Sequence, residues 1–373
     1  MSRYGFELAT QADDAKLRQV LAETPMEGDI SVSFRREPSY FDAAVVSGDF
    51  CQTVIGRDSD NKRIVGCGVR AVREMFVNGE PMPIGYLSSL RVLPAYRSLG
   101  LIARGYAYFR QLHADGHTPL YLTTIAEGND PAVSLLTSRR AGLPPYHYAG
   151  RYFSLLLPAK CASRNDRNGD LNITRVRSAR SGDMPNVLAF LETNGRQRQF
   201  FPKYKSNDFL HPRGTFRDLK TDDLFLAICD GRIVGTLGVW DQRGFRQSVV
   251  ERYSARWQWM RPLYNGWALL RGRPSLPPVG RPFEYVVGAL PVVADDDAAI
   301  FEALLDAAQS RAAMATAEHL LIGLHEDDPL LPRLRSHAVA SYATLLYYVC
   351  WEDGETLRQA LDGRVPYLEL GTL

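Results

Sequence analysis

The chain repeats itself. The tetrad Arg63-Ile-Val-Gly66 returns as Arg232-Ile-Val-Gly235. Phe6-Glu-Leu-Ala-Thr-Gln-Ala-Asp-Asp14 opens the first copy and Ile173-Thr-Arg-Val-Arg-Ser-Ala-Arg-Ser-Gly-Asp183 the second; each runs on into a helical stretch, to Glu23 and to Glu192. Leu8 lies 58 positions before Gly66, and Val176 lies 59 before Gly235. Later, Leu93-Pro94 precedes a helix, a strand and Asn129-Asp-Pro131, while Leu290-Pro291 precedes a helix, a strand and Asp327-Asp-Pro329, over spans of 37 and 38 positions. Matching spans predict two copies of one unit of about 150 residues or more. We place the first unit at residues 1–158, a polar linker without apolar period at 159–170, and the second unit at 171–373.

The second unit carries an insertion. Gly66 to Pro94 is 28 positions, whereas Gly235 to Pro291 is 56. The added stretch holds Trp257, Trp259, Trp267 and the Pro-rich run Arg273-Pro-Ser-Leu-Pro-Pro278. Packing against the other unit is the expected fate of these aromatics.

Charge and cysteine content narrow the function classes. With 44 Lys plus Arg against 42 Asp plus Glu, the net charge is +2. No basic block stands out, so neither a nucleic-acid nor a membrane partner is expected. The N-terminus lacks a signal-peptide core, and no apolar run approaches the roughly 20 residues of a membrane span. Five separated cysteines without C-x-x-C spacing fit a cytoplasmic setting. His113 and His117 are spaced i, i+4, but Gly116 breaks the helix between them; no metal site is expected.

Within the first unit, Ser31–Arg35, Phe50–Arg57 and Ile64–Val72 read as strands. Asn78-Gly79 is a hairpin signal joining Val69–Val77 to Ile84–Val92. Residues 99–112 read as a helix, with Ile102, Tyr106, Phe109 and Leu112 on one stripe. Leu120–Ile125 is a strand, residues 131–140 a helix, and Tyr148–Leu157 a closing strand. This is an α/β fold: two units, each a mixed, mostly antiparallel sheet flanked by helices.

The chemistry concentrates in Leu90-Arg-Val-Leu-Pro-Ala-Tyr-Arg-Ser-Leu-Gly-Leu-Ile-Ala103. A strand ends at Val92 and a helix begins near Ser98. The unpaired N–H groups and positive dipole end of such a helix suit phosphate oxygens. Gly100 allows close backbone approach, and Arg97 adds charge.

This segment resembles the acyl-CoA signature of the GNAT superfamily of N-acetyltransferases. Val92-Leu-Pro94 stands for its V-x-P, and Arg97-Ser-Leu-Gly100-Leu-Ile102 for its Arg/Gln-x-x-Gly-x-Gly/Ala, with Ile102 where Gly or Ala is usual. Asn129-Asp-Pro-Ala132-Val-Ser-Leu135 resembles the family's N-x-x-A-x-x-L. The resemblance implies acyl transfer from acetyl-CoA, or a related acyl-CoA, to an amine. It gives backbone groups of Leu90 and Val92 to the pantetheine arm. The N–H groups of Arg97, Ser98, Leu99, Gly100, Leu101 and Ile102 go to the pyrophosphate, and Asn129 to the thiol end. A V-shaped opening between Ile84–Val92 and Leu120–Ile125 would admit the thioester.

Two of the family's usual catalytic groups are missing. Leu136 stands where many members have a Tyr acid, and Tyr86 and Ser88 where many have a strand Glu. Tyr86, Glu127 and Tyr148 are the candidate catalytic residues, with Tyr146 beside the last. In the second unit Asp295, Asp296 and Asp297 follow the strand, and neither Arg nor Gly is supplied. We expect that unit to bind no acyl-CoA. The acceptor amine, a small molecule or a peptide, is not readable from sequence. A non-catalytic acyl-CoA-binding or interaction module is the alternative.

Overall fold

The computed structural model describes residues 3–97, 100–139, 142–160, 174–271, 273 and 275–373. The linker placed at 159–170 lies outside these residues from Cys161 onward, as do Ser98 and Leu99 of the motif.

In chain order the described strands are β1 (Tyr4–Leu8), β2 (Ile30–Arg35), β3 (Phe50–Asp58), β4 (Ile64–Val77), β5 (Glu80–Val92), β6 (Tyr121–Ala126), β7 (Tyr146–Pro158), β8 (Thr174–Ser178), β9 (Phe201–Pro202), β10 (Leu224–Cys229), β11 (Arg232–Trp240), β12 (Gln247–Tyr253), β13 (Tyr285–Val293), β14 (His319–His325) and β15 (Ala340–Val349). The helices are α1 (Asp14–Glu23), α2 (Tyr40–Ala44), α3 (Leu101–His113), α4 (Asp130–Leu136), α5 (Met184–Gly195), α6 (Ser206–Leu210), α7 (Ala255–Leu270), α8 (Ala298–Met314), α9 (Leu331–His337) and α10 (Glu355–Gln359). Asn78 and Gly79 both take positive φ, 52° and 87°, which closes the two-residue hairpin between β4 and β5.

One large sheet runs in the order β1-β3-β4-β5-β6-β15-β7-β14-β13-β11-β10-β8, with β9 against β4. Its pairs are antiparallel except β5·β6 and β13·β14. The expected mixed, mostly antiparallel architecture is present. The closing strand read at Tyr148–Leu157 is β7. β7 does not pair with β6; it lies between β15 and β14, and β15 takes the place beside β6. Each half of the chain thus lends its last strand to the other half's ladder. The alternation along a strand says which face is buried but not which neighbour it meets, so sequence could not show this exchange.

Helix α3 covers β3–β6 through Tyr106 and Phe109, and α8 covers β10, β11, β13 and β14 through Phe301, Leu304 and Leu305. A core on the opposite face joins Ala43, Val46 and Phe76 from the first half to Phe190, Phe216 and Trp240 from the second. The strand read at Ser31–Arg35 leaves the main sheet and pairs with β12 in a separate two-stranded ribbon. The inserted tryptophans do not pack as expected. Trp257 is half-buried, but Trp259 on α7 is 84% exposed and Trp267 is 43% exposed.

Gly85 fixes the junction of β5 and β6. A Cβ there would lie 2.1 Å from Cδ1 of Tyr121. That ring cannot yield: its hydroxyl accepts from Arg70 Nε at 2.9 Å and lies 2.9 Å from His113 Nδ1. Arg70, itself fully buried, grips Asp115 at 2.6 and 2.8 Å. Gly85→Ala is expected to lower the unfolding free energy by about 2 kcal/mol in a urea titration.

Candidate active site

β5 and β6 pair over only two positions, Gly85↔Tyr121 and Tyr86↔Leu122, and then part. The cause is a bulge. Cys67 opposes Arg91 and Val69 opposes Ser88, so Gly68 faces two residues, and Ser89 takes φ 52°. Beyond Tyr86 the β6 side of β5 has no ladder partner, and Leu90 and Val92 lie on this free stretch. Across the gap Thr123 Oγ1 donates to Leu87 O at 2.8 Å, and the hydroxyls of Tyr86 and Thr124 meet at 2.8 Å. The V-shaped opening expected from sequence is therefore present.

After Val92 the chain turns through Pro94–Tyr96, and Arg97 N–H donates to Pro94 O at 3.3 Å. Gly100 is the N-cap of α3 with φ 65°, a left-handed conformation that favours glycine, and among the described residues no atom beyond its chain neighbours lies within 4 Å of the Cβ it lacks. Open space thus stands over the amino end of a 13-residue helix. Ile102 does not crowd that space. Its side chain turns down into an apolar groove with Leu90, Val92, Tyr106 and Phe109, and Leu101 is buried. Asn129 caps α4, its Oδ1 accepting from Ala132 N–H at 3.3 Å. Leu136, in the place of the missing Tyr, is core.

The three candidate catalytic residues fall in two places. Tyr86 is buried at the opening, and desolvation pushes its hydroxyl up to about 12. Glu127 and Tyr148 sit together at the surface instead. Glu127 is ion-paired to Arg151 at 2.9 Å, and Tyr148 is 57% exposed against Tyr347. Tyr146 is spent on a hydroxyl contact with Tyr106.

Sequence reasoning missed the arginines. Arg36 is 93% buried in effect, with 7% exposure, and stacks over Tyr40 at 4.7 Å. One amino group reaches Ser89 Oγ at 3.3 Å, and the other, Nη1, has no partner. Arg91 Nη1 donates to the Leu90 carbonyl of its own strand at 3.1 Å, its one side-chain hydrogen bond among the described residues. Arg246 donates to the Gly371 and Leu373 carbonyls and to Ser47 Oγ, and its Nε is unpartnered. Burial, and then the charge of Arg36, pushes both Arg91 and Arg246 below the usual guanidinium range. Among the described residues no Asp or Glu side chain pairs with any of the three, and Arg246 is held at 2.8 Å by the oxygen of Leu373. The run Arg35-Arg36-Glu37-Pro38 was the available signal, but Arg35 and Glu37 find ordinary partners in Glu251 and Arg18.

The second half differs at each equivalent point. Gly66 opposes Val92 and Gly235 opposes Val293, so Pro291 falls inside β13 while Pro94 lies past the end of β5. The equal spans to Pro94 and Pro291 matched residues that do not correspond. Counted from the paired valines, α8 starts four residues sooner than α3. Asp297 caps α8, accepting from Ala299 and Ile300 N–H at 2.7 and 3.1 Å, and Asp296 is paired with Arg198. β13 has its own bulge at Leu290, φ 55°, but the Leu290 N–H donates to Glu369 Oε2 at 2.9 Å. Burial pushes the Glu369 carboxyl up to about 7.

A group of possible metal ligands, His147, Cys350 and Glu355, is otherwise engaged. Glu355 is held by Arg358 at 2.6 and 2.9 Å, and the Cys350 thiol is pushed up to about 12 by burial first and Glu355 next.

No family model matches the sequence, and no curated protein matches it in sequence. Solved structures do match in shape. A GCN5-related N-acetyltransferase from Sphaerobacter thermophilus superposes with a TM-score of 0.56 at 12% identity, over 93% of this chain and 96% of that one. N-myristoyltransferase of Saccharomyces cerevisiae with bound myristoyl-CoA gives 0.59 at 12% identity, over 94% and 79%. A glucosamine N-acetyltransferase region within a fungal multi-domain β-N-acetylglucosaminidase gives 0.58 at 12% identity, over 93% of this chain and 38% of that one. The chain therefore has the GNAT-like fold that these N-acetyltransferases and N-myristoyltransferases share.

Proposed function

We propose that the protein transfers an acyl group from acetyl-CoA, or a related acyl-CoA, to an amine. The observation that carries this is the parting of β5 from β6, followed directly by a loop that ends at left-handed Gly100 over the amino end of α3. The N–H groups from Arg97 to Ile102 would hold the pyrophosphate, and the free side of Leu90 and Val92 the pantetheine arm. In the transfer, the amine nitrogen bonds to the thioester carbonyl carbon and the C–S bond breaks. The departing thiolate takes a proton from Tyr86, which is protonated at neutral pH, and the proton that the amine nitrogen releases as the amide forms restores the Tyr86 hydroxyl. Glu127, in its surface ion pair, has no part in this reading, and nor does Tyr148.

The amine must attack uncharged. Arg36, on Ser89, and its neighbours Arg91 and Arg246 give this part of β5 a positive field, which lowers the pKa of a nearby ammonium and favours its neutral form. Arg36 Nη1 and Arg91, which no Asp or Glu side chain pairs, favour an acceptor that carries an anionic group beside its amine. Turnover is tested by thiol release from acetyl-CoA with amino acids set against their amides. Faster release with the free acids is expected. Binding of acetyl-CoA without turnover on any amine would favour a binding module instead. Tyr86→Phe is expected to lower kcat by about 10²-fold with acetyl-CoA affinity unchanged.

Two GNAT-like units, 1–158 and 171–373, remain our reading of the chain, with strands exchanged between them. The shorter loop, the cap Asp297 and the plug Glu369 support one donor site, so titration with acetyl-CoA should saturate at one equivalent per chain. Saturation at two would overturn it.

A further inference from the structure

Helix α7 is inside out for a surface helix. Its inward side carries Tyr264, Asn265 and buried Ala268, and Asn265 exchanges hydrogen bonds with the backbone of Leu276 at 2.8 and 3.1 Å. Arg261 adds a third bond to the Leu276 carbonyl, and Tyr253 OH donates to Pro277 O at 2.6 Å. The helix is thus clamped to the Pro-rich segment by polar contacts. Its outward stripe is Trp259, Met260, Leu263, Trp267 and Leu270, spaced at i, i+1, i+4, i+8 and i+11. Leu263 is 77% and Leu270 is 86% exposed. Soluble proteins place such a stripe against a core.

Charge decides what covers it. Residues 252–283 hold six arginines and no Asp, Glu or Lys, although the whole chain is only +2. The arginines are scattered among apolar residues, so they form no block in sequence. The helix and its clamp gather them: Arg256 at the start of α7, Arg271 just past its end, and Arg273 over the Trp267 ring at 5.4 Å. A second copy would bring this positive rim against itself. A nucleic acid would match the charge and leave Leu263 and Leu270 uncovered. Tryptophan, leucine and arginine on one face suit the headgroup boundary of an anionic bilayer, where apolar side chains enter the acyl layer and guanidiniums meet phosphates. The sequence gives no helix of the described residues long and apolar enough to cross a membrane.

We propose that α7 lies flat on an anionic phospholipid surface and docks the protein there through the Trp259–Leu270 stripe. The proposal stands independently of the acyl-transfer reading. It is tested by flotation of the full chain with phosphatidylcholine vesicles, with and without 30% phosphatidylglycerol, at physiological salt. Binding at least tenfold tighter to the anionic vesicles is expected, lost at high salt and lost in the double variant W259E/L263E. Tryptophan fluorescence should shift to the blue only with anionic vesicles. Far-UV circular dichroism and a urea titration on the variant show that it is folded. Three results would each overturn the proposal: equal binding to neutral vesicles, no binding to either, or a dimer that W259E/L263E converts to monomer.

Discussion

Gly100→Glu is expected to abolish acetyl-CoA binding in calorimetry while the chain stays folded. The two halves of that outcome have separate causes. Folding survives because, among the described residues, nothing beyond the chain neighbours lies within 4 Å of the new Cβ. The left-handed φ of 65° costs a non-glycine residue about 1–2 kcal/mol, which leaves a chain of this size intact. Binding is lost because a carboxylate then stands at the amino end of α3. At an effective dielectric near 20, a like-charge pair about 4 Å apart costs roughly 4 kcal/mol, close to a thousandfold in affinity. Gly100→Ala, with the same strain and no charge, should lose only a few-fold. Unchanged affinity in Gly100→Glu would show that the donor does not bind here.

Glu369 should control stability with a definite pH signature. Burial raises its carboxyl from the ordinary 4.5 to about 7. Between those values the folded chain keeps a proton that the unfolded chain has released. Stability from this group is therefore complete below about pH 4.5 and falls as pH rises through 7, by roughly 3 kcal/mol in total. Glu369→Gln keeps an acceptor for the Leu290 N–H and should flatten that fall. Glu369→Ala leaves the Leu290 N–H and the Tyr367 hydroxyl, now at 2.9 and 2.7 Å from the carboxylate, without partners. It should cost about 3 kcal/mol at pH 5 and less at pH 8, where the wild-type carboxylate is itself a burden. Denaturant titrations at both pH values measure this. A wild type equally stable at both, beside a flat Glu369→Gln, would remove the carboxyl from this role.

Local chemistry was legible in the sequence, and long-range assembly was not. Asn78-Gly79 and the end of β5 at Val92 follow from turn and strand preferences that act within a few residues. The nearness of Arg36 to Arg91 and Arg246 does not, because the three are far apart in sequence and ordinary one at a time. Pro291 misled because a proline tolerated inside β13 resembles one that ends a strand. The exposed stripe on α7 was read as packing because apolar periodicity reports a face and not what covers it.

The exchange of β7 and β15 sets a schedule for synthesis. When the ribosome has finished β6, the strand that must cover its edge is still more than two hundred residues away, by the numbering of Ala126 and Ala340. At about 5–20 residues per second that gap lasts on the order of 10–40 s. Through that interval β6 and then β7 present bare edges, a template for pairing with neighbouring nascent chains. Yield of soluble protein should therefore depend on chaperone capacity and on translation speed through the second half. A fragment ending before β15 should aggregate, and adding the missing strand in trans as part of a second-half fragment should rescue it.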